Sequence, residues 1–228
     1  MEDKGQQVVQ NFLWVRNSLP EKVKLVVVSK HQPVEVIKLV YEAGQRIFGE
    51  NRVQELMDKK ARLPADIEWH FIGNLQSNKV KYIAPFISLI QSAGNDGLLD
   101  EISRQAKKNN RNIDCLLEVH IASEETKHGY SPEAADELLT RLTAAEGGGP
   151  SISAGGAKVI GLMGMATHTA DPIQVRKEFH DLALLYKKHE TTLDMRYLSM
   201  GMTGDYRIAI EEGSNMVRIG SLIFGTRQ

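Results

Sequence analysis

One feature narrows the possible folds more than any other: short β-branched apolar runs alternate with amphipathic helical stretches from one end of the chain to the other. Strands joined through helices pair in parallel, because the helix carries the chain back to the edge it left. Eight such runs can be counted, at 23–29, 46–49, 68–73, 86–92, 114–121, 159–166, 196–200 and 216–220. The second is weak by itself and is placed by the helices that flank it. Eight βα units make either a doubly wound open sheet or a closed barrel, and 228 residues lie within the range of a single (β/α)8 barrel. A dinucleotide-binding open sheet wants a glycine-rich turn after its first strand, whereas here that strand ends in Ser29, Lys30 and His31. The barrel is favoured, as one domain spanning residues 1–228.

The helices carry their own signals. Val36, Ile37, Val40 and Tyr41 share a face, with Pro33 near its start and Gly44 just past its end. Asn51 followed by Gln54 resembles a capping box ahead of the stripe Val53, Leu56 and Met57. Asp171 and Pro172 open a helix whose face is Val175, Phe179, Leu182 and Tyr186. A helix around Val8, Phe12 and Val15 precedes the first strand and is expected to close the bottom of the barrel. The glycine- and serine-rich segment 146–157, EGGGPSISAGGA, has no periodicity and reads as a mobile loop on the less functional face.

Composition excludes several classes. Lys plus Arg (28) balance Asp plus Glu (29), so no basic field favours nucleic acid or a membrane surface. Cys115 is the only cysteine, which excludes an intramolecular disulfide and a cysteine-based zinc site and fits a cytoplasmic setting. The start, MEDKGQQVVQNFLW, lacks the apolar core of a signal peptide, and no apolar run is long enough to span a bilayer.

Chemistry concentrates at the ends of the first, seventh and eighth strands. In KLVVVSK, alternation puts Val26, Val28 and Lys30 on one face, with Lys30 at the C-terminal end, where barrels place their sites. An amine beside an apolar strand is a candidate Schiff-base group, although a solvated lysine leaving a strand would look the same. The seventh strand runs into LSMGMTGD, where Gly201 and Gly204 let backbone approach a ligand and Thr203 can cap the next helix. On the eighth, Met216, Arg218 and Gly220 share a face and Ser221 follows, so N–H groups and a hydroxyl stand beside the same anion site. Two ordinary strand-to-helix loops would also contain such glycines. An inward Arg218 needs an acceptor, either a protein carboxylate or a ligand atom such as a pyridine nitrogen. Amine, anion cradle and arginine converge on pyridoxal 5′-phosphate (PLP), which has an aldehyde, a phosphate and a ring nitrogen.

Four segments in order, KLVVVSK (24–30), FGENRVQE (48–55), WHFIGNLQSNK (69–79) and SMGMTGDYRIAIEEGSNMVRIGSLIFGTR (199–227), closely resemble the PLP homeostasis protein family, also called YggS/PROSC-like. The resemblance implies a fold-type III PLP barrel like the N-terminal domain of alanine racemase. It implies Lys30 as the Schiff-base lysine, Arg218 facing the pyridine nitrogen, Ser199, Gly220 and Ser221 on the phosphate, and Asn51 near the cofactor. Asn51 would serve equally as a helix cap, and His70 as a hydrogen-bonded core residue. Arg52, Thr203, Asn215 and the stretch 93–95 depart from the family's usual residues.

Racemases of this fold type need a second base, a tyrosine from an extra β domain of a partner subunit, and this chain has no room for that domain. An arginine against the ring nitrogen also weakens the electron sink, since guanidinium donates a hydrogen bond without giving up its proton. The expectation is a protein that stores, buffers or delivers PLP, with apo-PLP enzymes as recipients, no metal and no appreciable catalysis. The alternatives are a small PLP-dependent amino-acid racemase or lyase using Lys30 as its base, and a Schiff-base aldolase or phosphosugar enzyme without PLP.

Overall fold

The structure, a computed structural model, describes residues 2–124, 128–145, 153–154 and 156–225. Its strands are β1 (Lys24–Val28), β2 (Ile47–Glu50), β3 (Glu68–Phe71), β4 (Leu89–Ala93), β5 (Ile113–Val119), β6 (Ser153–Ala154), β7 (Ala157–Gly164), β8 (Tyr197–Ser199) and β9 (Met216–Ile219). The order β5-β4-β3-β2-β1-β9-β8-β7, with β5 paired back onto β7, closes eight parallel strands into a barrel. All eight expected strands are present. The weak second run is in register with both neighbours, Val27 beside Phe48 and Ile47 beside Glu68. Most of the glycine-rich segment lies outside the described residues. Its Ser153 and Ala154 form β6, antiparallel to the first residues of β7 and so at the N-terminal end of the barrel.

Around the barrel stand α1 (Glu2–Ser18), α2 (Val34–Glu42), α3 (Val53–Arg62), α4 (Ser77–Ile83), α5 (Asp96–Lys108), α6 (Pro132–Ala145), α7 (Pro172–His189), α8 (Tyr206–Glu211) and α9 (Ser221–Phe224). Their starts follow local chemistry where the side chains permit. The Asn95 side chain accepts from the Leu98 N–H to open α5, and Asp171 accepts from the Ile173 N–H to open α7 ahead of Pro172. Gly44 ends α2 at φ +103°, a conformation that a side chain would strain.

Three local expectations fail. Asn51 does not cap α3: β2 continues through Glu50, which pushes the N-cap on to Arg52, and no side chain caps that helix. Thr203 does not cap α8, because the turn after β8 runs on to Asp205 before the helix begins. The first helix does not lie under the barrel. It packs against α2 and α9, with Phe12 and Val15 fully buried and the Asn11 side chain donating to the Ile223 carbonyl at 3.1 Å. The cause is α9, a single turn too short to cover the outward apolar residues of β1 and β9, so α1 completes the outer ring.

Strand alternation divides the core into two layers. Outward residues such as Leu25, Val27, Phe48, Trp69, Phe71, Val217 and Ile219 join the helices in the main apolar layer. A smaller apolar plug of Val26, Leu89, Leu116, Ile160, Met163 and Met216 fills the barrel itself. Inward positions nearer the C-terminal strand ends are polar, and they support the site.

Candidate functional site

A cavity of about 710 Å³ opens at the C-terminal ends of β1, β7, β8 and β9. Val28 lines it from the end of β1 and Lys30 from the turn that follows, Arg218 from β9 and Gly220 just after it, Ser221 from the start of α9, and Thr203 and Gly204 from the turn after β8. The far wall is the segment after β7, including His168 and Thr169. Alternation accounts for the convergence: Val26 sits in the barrel plug, and the next residues on the same face of β1, Val28 and Lys30, rise into the cavity above it. Lys30 is only partly buried.

Arg218 is 4% exposed and held by three protein acceptors. One terminal nitrogen, Nη1, donates to the Ser199 carbonyl at 2.9 Å and to Ser199 Oγ at 2.6 Å, and Nη2 donates to the Gly164 carbonyl at 3.0 Å. Three of its five N–H donors are thereby used. Burial brings its pKa down to about 10, with Asp205 and Glu118 opposing the shift, so it stays protonated at neutral pH. The chain of bonds continues inward. Ser199 Oγ donates to Gln91 Oε1 at 2.7 Å, and Gln91 Nε2 donates to His70 Nδ1 at 3.0 Å. Burial drives His70 down to about 3, so the ring is neutral and its Nδ1 is free to accept. Glu118, on the inward face of β5, is pushed up to about 7 by burial, with Arg218 drawing it back.

Four of the six residues singled out from sequence therefore meet at one cavity: Lys30, Arg218, Gly220 and Ser221. Ser199 does not line it. It is fully buried, accepting from Arg218 and donating to Gln91. Asn51 does not line it either; it stands at the end of β2, and its Oδ1 is buried without a hydrogen-bond partner. Of the two glycines after β8, Gly204 lines the cavity, whereas Gly201 serves the turn. Gly201 has φ +95°, a Cβ there would lie 2.6 Å from the Ala209 Cβ, and its carbonyl accepts the Arg218 N–H at 3.0 Å.

Sequence reasoning missed Gln91 and Glu118, which the inward alternation of 89–91 and 116–118 could have shown as polar residues on a buried face. It also missed Lys59, buried on α3, where the spacing Leu56 to Lys59 on one helical face was the available signal. Among the described residues no helix is long and apolar enough to cross a membrane, and no cluster of His, Cys, Asp or Glu is arranged to hold a metal ion.

Residues 5–228 match the family model described as alanine racemase, N-terminal domain. The chain is 42% identical over 208 residues to the pyridoxal phosphate homeostasis protein of Aquifex aeolicus, covering 90% of this chain and 87% of that one. It is 35% identical over 228 residues to the protein of the same name from Haemophilus influenzae, covering 97% and 92% respectively. Among solved structures, PipY of Synechococcus elongatus PCC7942, determined with PLP bound, matches with a TM-score of 0.83 at 29% identity over 96% of this chain and all of that one. Alanine racemase from E. faecalis matches with a TM-score of 0.71 over 98% of this chain but 58% of the racemase, and at 15% identity the likeness is one of fold. The chain belongs to the pyridoxal phosphate homeostasis protein family.

Proposed function

We propose that this protein is a single-domain, cytoplasmic PLP-binding barrel that holds the cofactor as a Schiff base on Lys30 and stores, buffers or delivers it, with apo-PLP enzymes as recipients. The observation that carries the reading is the meeting of the Lys30 amine, the buried Arg218 and the Gly220–Ser221 backbone at one cavity. A homologous PipY solved with PLP bound supports it, as do relatives named for PLP homeostasis. The residues present fit the group. Lys30 supplies the amine for the aldehyde, the backbone at Gly220 and Ser221 and the turn at Thr203 and Gly204 offer N–H groups to a phosphate, and Arg218 keeps donors for a ring nitrogen. Asn51 Oδ1, just after β2, is buried without a hydrogen-bond partner. Ser199 contributes through Arg218, whose guanidinium it fixes.

Bound PLP can act as an electron sink for amino-acid chemistry. The chain's own residues favour retention over turnover. Arg218 donates hydrogen bonds and keeps its proton, so it orients a ring nitrogen without protonating it. Lys30 is the amine at the cavity, and if it is the only competent base, a proton it removes returns to the face it left. The test is mass spectrometry after borohydride reduction: purified protein is expected to carry the PLP adduct on Lys30, and Lys30→Ala to lose it. An adduct of unchanged mass in that variant would overturn the assignment. Incubation with single amino-acid enantiomers in deuterated water is expected to give slow exchange at most. Rapid inversion or keto-acid release that disappears in Lys30→Ala would make the protein an enzyme.

A further inference from the structure

The motif FGENRVQE does not line the cavity, and its two glutamates, Glu50 at the end of β2 and Glu55 on α3, meet one lysine of α3. Lys59 of α3 is buried, and its ammonium has three donors. All three are used: on the Ser29 carbonyl at 2.7 Å, on Glu50 Oε1 at 2.7 Å and on Glu55 Oε1 at 2.6 Å. Glu50, fully buried, also accepts from Ser29 Oγ at 2.6 Å. Glu55 accepts the His31 backbone N–H through the same oxygen that takes Lys59, and its other oxygen lies 4.0 Å from His31 Nδ1. The network thus grips Ser29 by both its hydroxyl and its carbonyl, and His31 by its N–H. The residue between them is Lys30.

His31 has φ +63°, the left-handed region that residues with side chains enter only when something holds them there. His31 takes that conformation at the third position of a tight turn from Ser29 to Gln32, closed by the Gln32 N–H on the Ser29 carbonyl at 3.0 Å. The four-carbon stem of Lys30 is flexible, so the direction in which it leaves the backbone is set by the peptide planes on either side of it. Burying an ammonium with a carboxylate is unfavourable unless the two are closely paired, as Lys59 and Glu50 are, with Glu55 partly exposed beside them. Here the pairing is spent on the two residues that flank the amine.

We propose that Lys59, Glu50 and Glu55 are positioning residues for Lys30, locking the backbone on both sides of it so that the amine projects into the cavity and reaches the cofactor aldehyde. This rests on the reading of Lys30 given above. In the condensation the amine nitrogen bonds to the aldehyde carbon, and the carbonyl oxygen leaves as water carrying the two protons that the nitrogen loses. The clamp acts on where that nitrogen stands and makes no contact with the phosphate side of the cavity.

The experiment compares two ligands on the full-length protein: PLP, which can form the imine, and pyridoxine 5′-phosphate, which has no aldehyde. Lys59→Met would strand the buried Glu50 and endanger the fold, so the informative variant is Glu55→Ala, which leaves Lys59 paired with Glu50 and Ser29. It is expected to weaken PLP binding followed by imine absorbance about tenfold, the loss of one hydrogen bond to a charged acceptor. Hydrogen exchange at the His31 amide should speed up, pyridoxine 5′-phosphate should bind within twofold of wild type, and Glu55→Gln, which keeps an acceptor oxygen, should restore most of the imine. Equal losses for both ligands, or no loss for either, would overturn the proposal. A wild-type protein with no reducible adduct on Lys30 would overturn the underlying reading and the clamp with it.

Discussion

Ser199→Ala separates two roles for a serine that the family resemblance assigns to the phosphate and the structure buries outside the cavity lining. The hydroxyl donates to Gln91 Oε1 at 2.7 Å and accepts from Arg218 Nη1 at 2.6 Å, with the side chain fully out of solvent. Its removal leaves the Gln91 oxygen buried without a donor, which costs about 1–3 kcal/mol, and takes one acceptor from Arg218. Arg218 keeps the Ser199 carbonyl at 2.9 Å and the Gly164 carbonyl at 3.0 Å, so the guanidinium stays in place. The expected net loss is about 2–3 kcal/mol of stability, which for a chain of this size lowers Tm by roughly 4–12 °C. PLP affinity should change less than threefold. A serine that bonded the phosphate directly would behave in the opposite way. Loss of a charge-assisted bond of about 1.5–3 kcal/mol would weaken PLP about 10- to 150-fold while the apo-protein melted as before. Thermal unfolding of the apo-protein by circular dichroism and a PLP titration by absorbance decide between them. An unchanged Tm with a tenfold or greater loss of affinity would refute the buried-chain reasoning.

Two other outcomes are expected. Pyridoxal without its phosphate should bind at least about 100-fold more weakly than PLP, because charge-assisted bonds at Gly220 and Ser221 contribute about 1.5–3 kcal/mol each, and equal affinities in a competition titration would count against that cradle. Glu118, raised from 4.5 to about 7 by burial, binds its proton more tightly folded than unfolded, so it costs nothing below pH 4.5 and destabilises increasingly as pH rises to about 7. Glu118→Gln should therefore leave stability unchanged at pH 4 and raise it by roughly 3 kcal/mol above pH 7.5, and a difference from wild type that is flat across this range would show that the carboxyl is not held protonated.

The barrel was legible because its signal is repetitive. Each buried parallel strand writes a short apolar run, each covering helix writes a 3.6-residue stripe, and even the weak run at 46–49 is fixed by the helices beside it. What failed was local and depended on where neighbouring elements stop. Asn51 has the spacing of a capping box, but pairing with β1 and β3 extends β2 through Glu50, so the helix can begin only at Val53. The first helix has a sound apolar face, and nothing local says what covers it. Its place follows from the brevity of α9, which lies more than two hundred residues away in sequence.

The site was legible to the extent that a residue's role follows from its own strand. Lys30, Arg218, Gly220 and Ser221 are placed by alternation within β1 and β9 and by the turn that follows. Lys59 could not be placed in this way. A lysine four residues after a glutamate on a helix ordinarily forms an exposed pair, and only the arrival of Ser29 and Glu50 from two adjacent strands buries this one. The barrel interior obeys a simpler rule. Along β4, β5, β8 and β9 the inward residue nearer the N-terminal end is Leu89, Leu116, Tyr197 or Met216, and the next inward residue is Gln91, Glu118, Ser199 or Arg218. Each polar member is costly to bury alone, and the cost falls where the strands bring Gln91, Ser199 and Arg218 together to bond to one another and to His70. A buried cation among them requires neutral or acidic acceptors around it. Burial keeps His70 unprotonated, Ser199 accepts from Arg218, and Arg218 keeps its remaining donors at the cavity that Lys30 also lines.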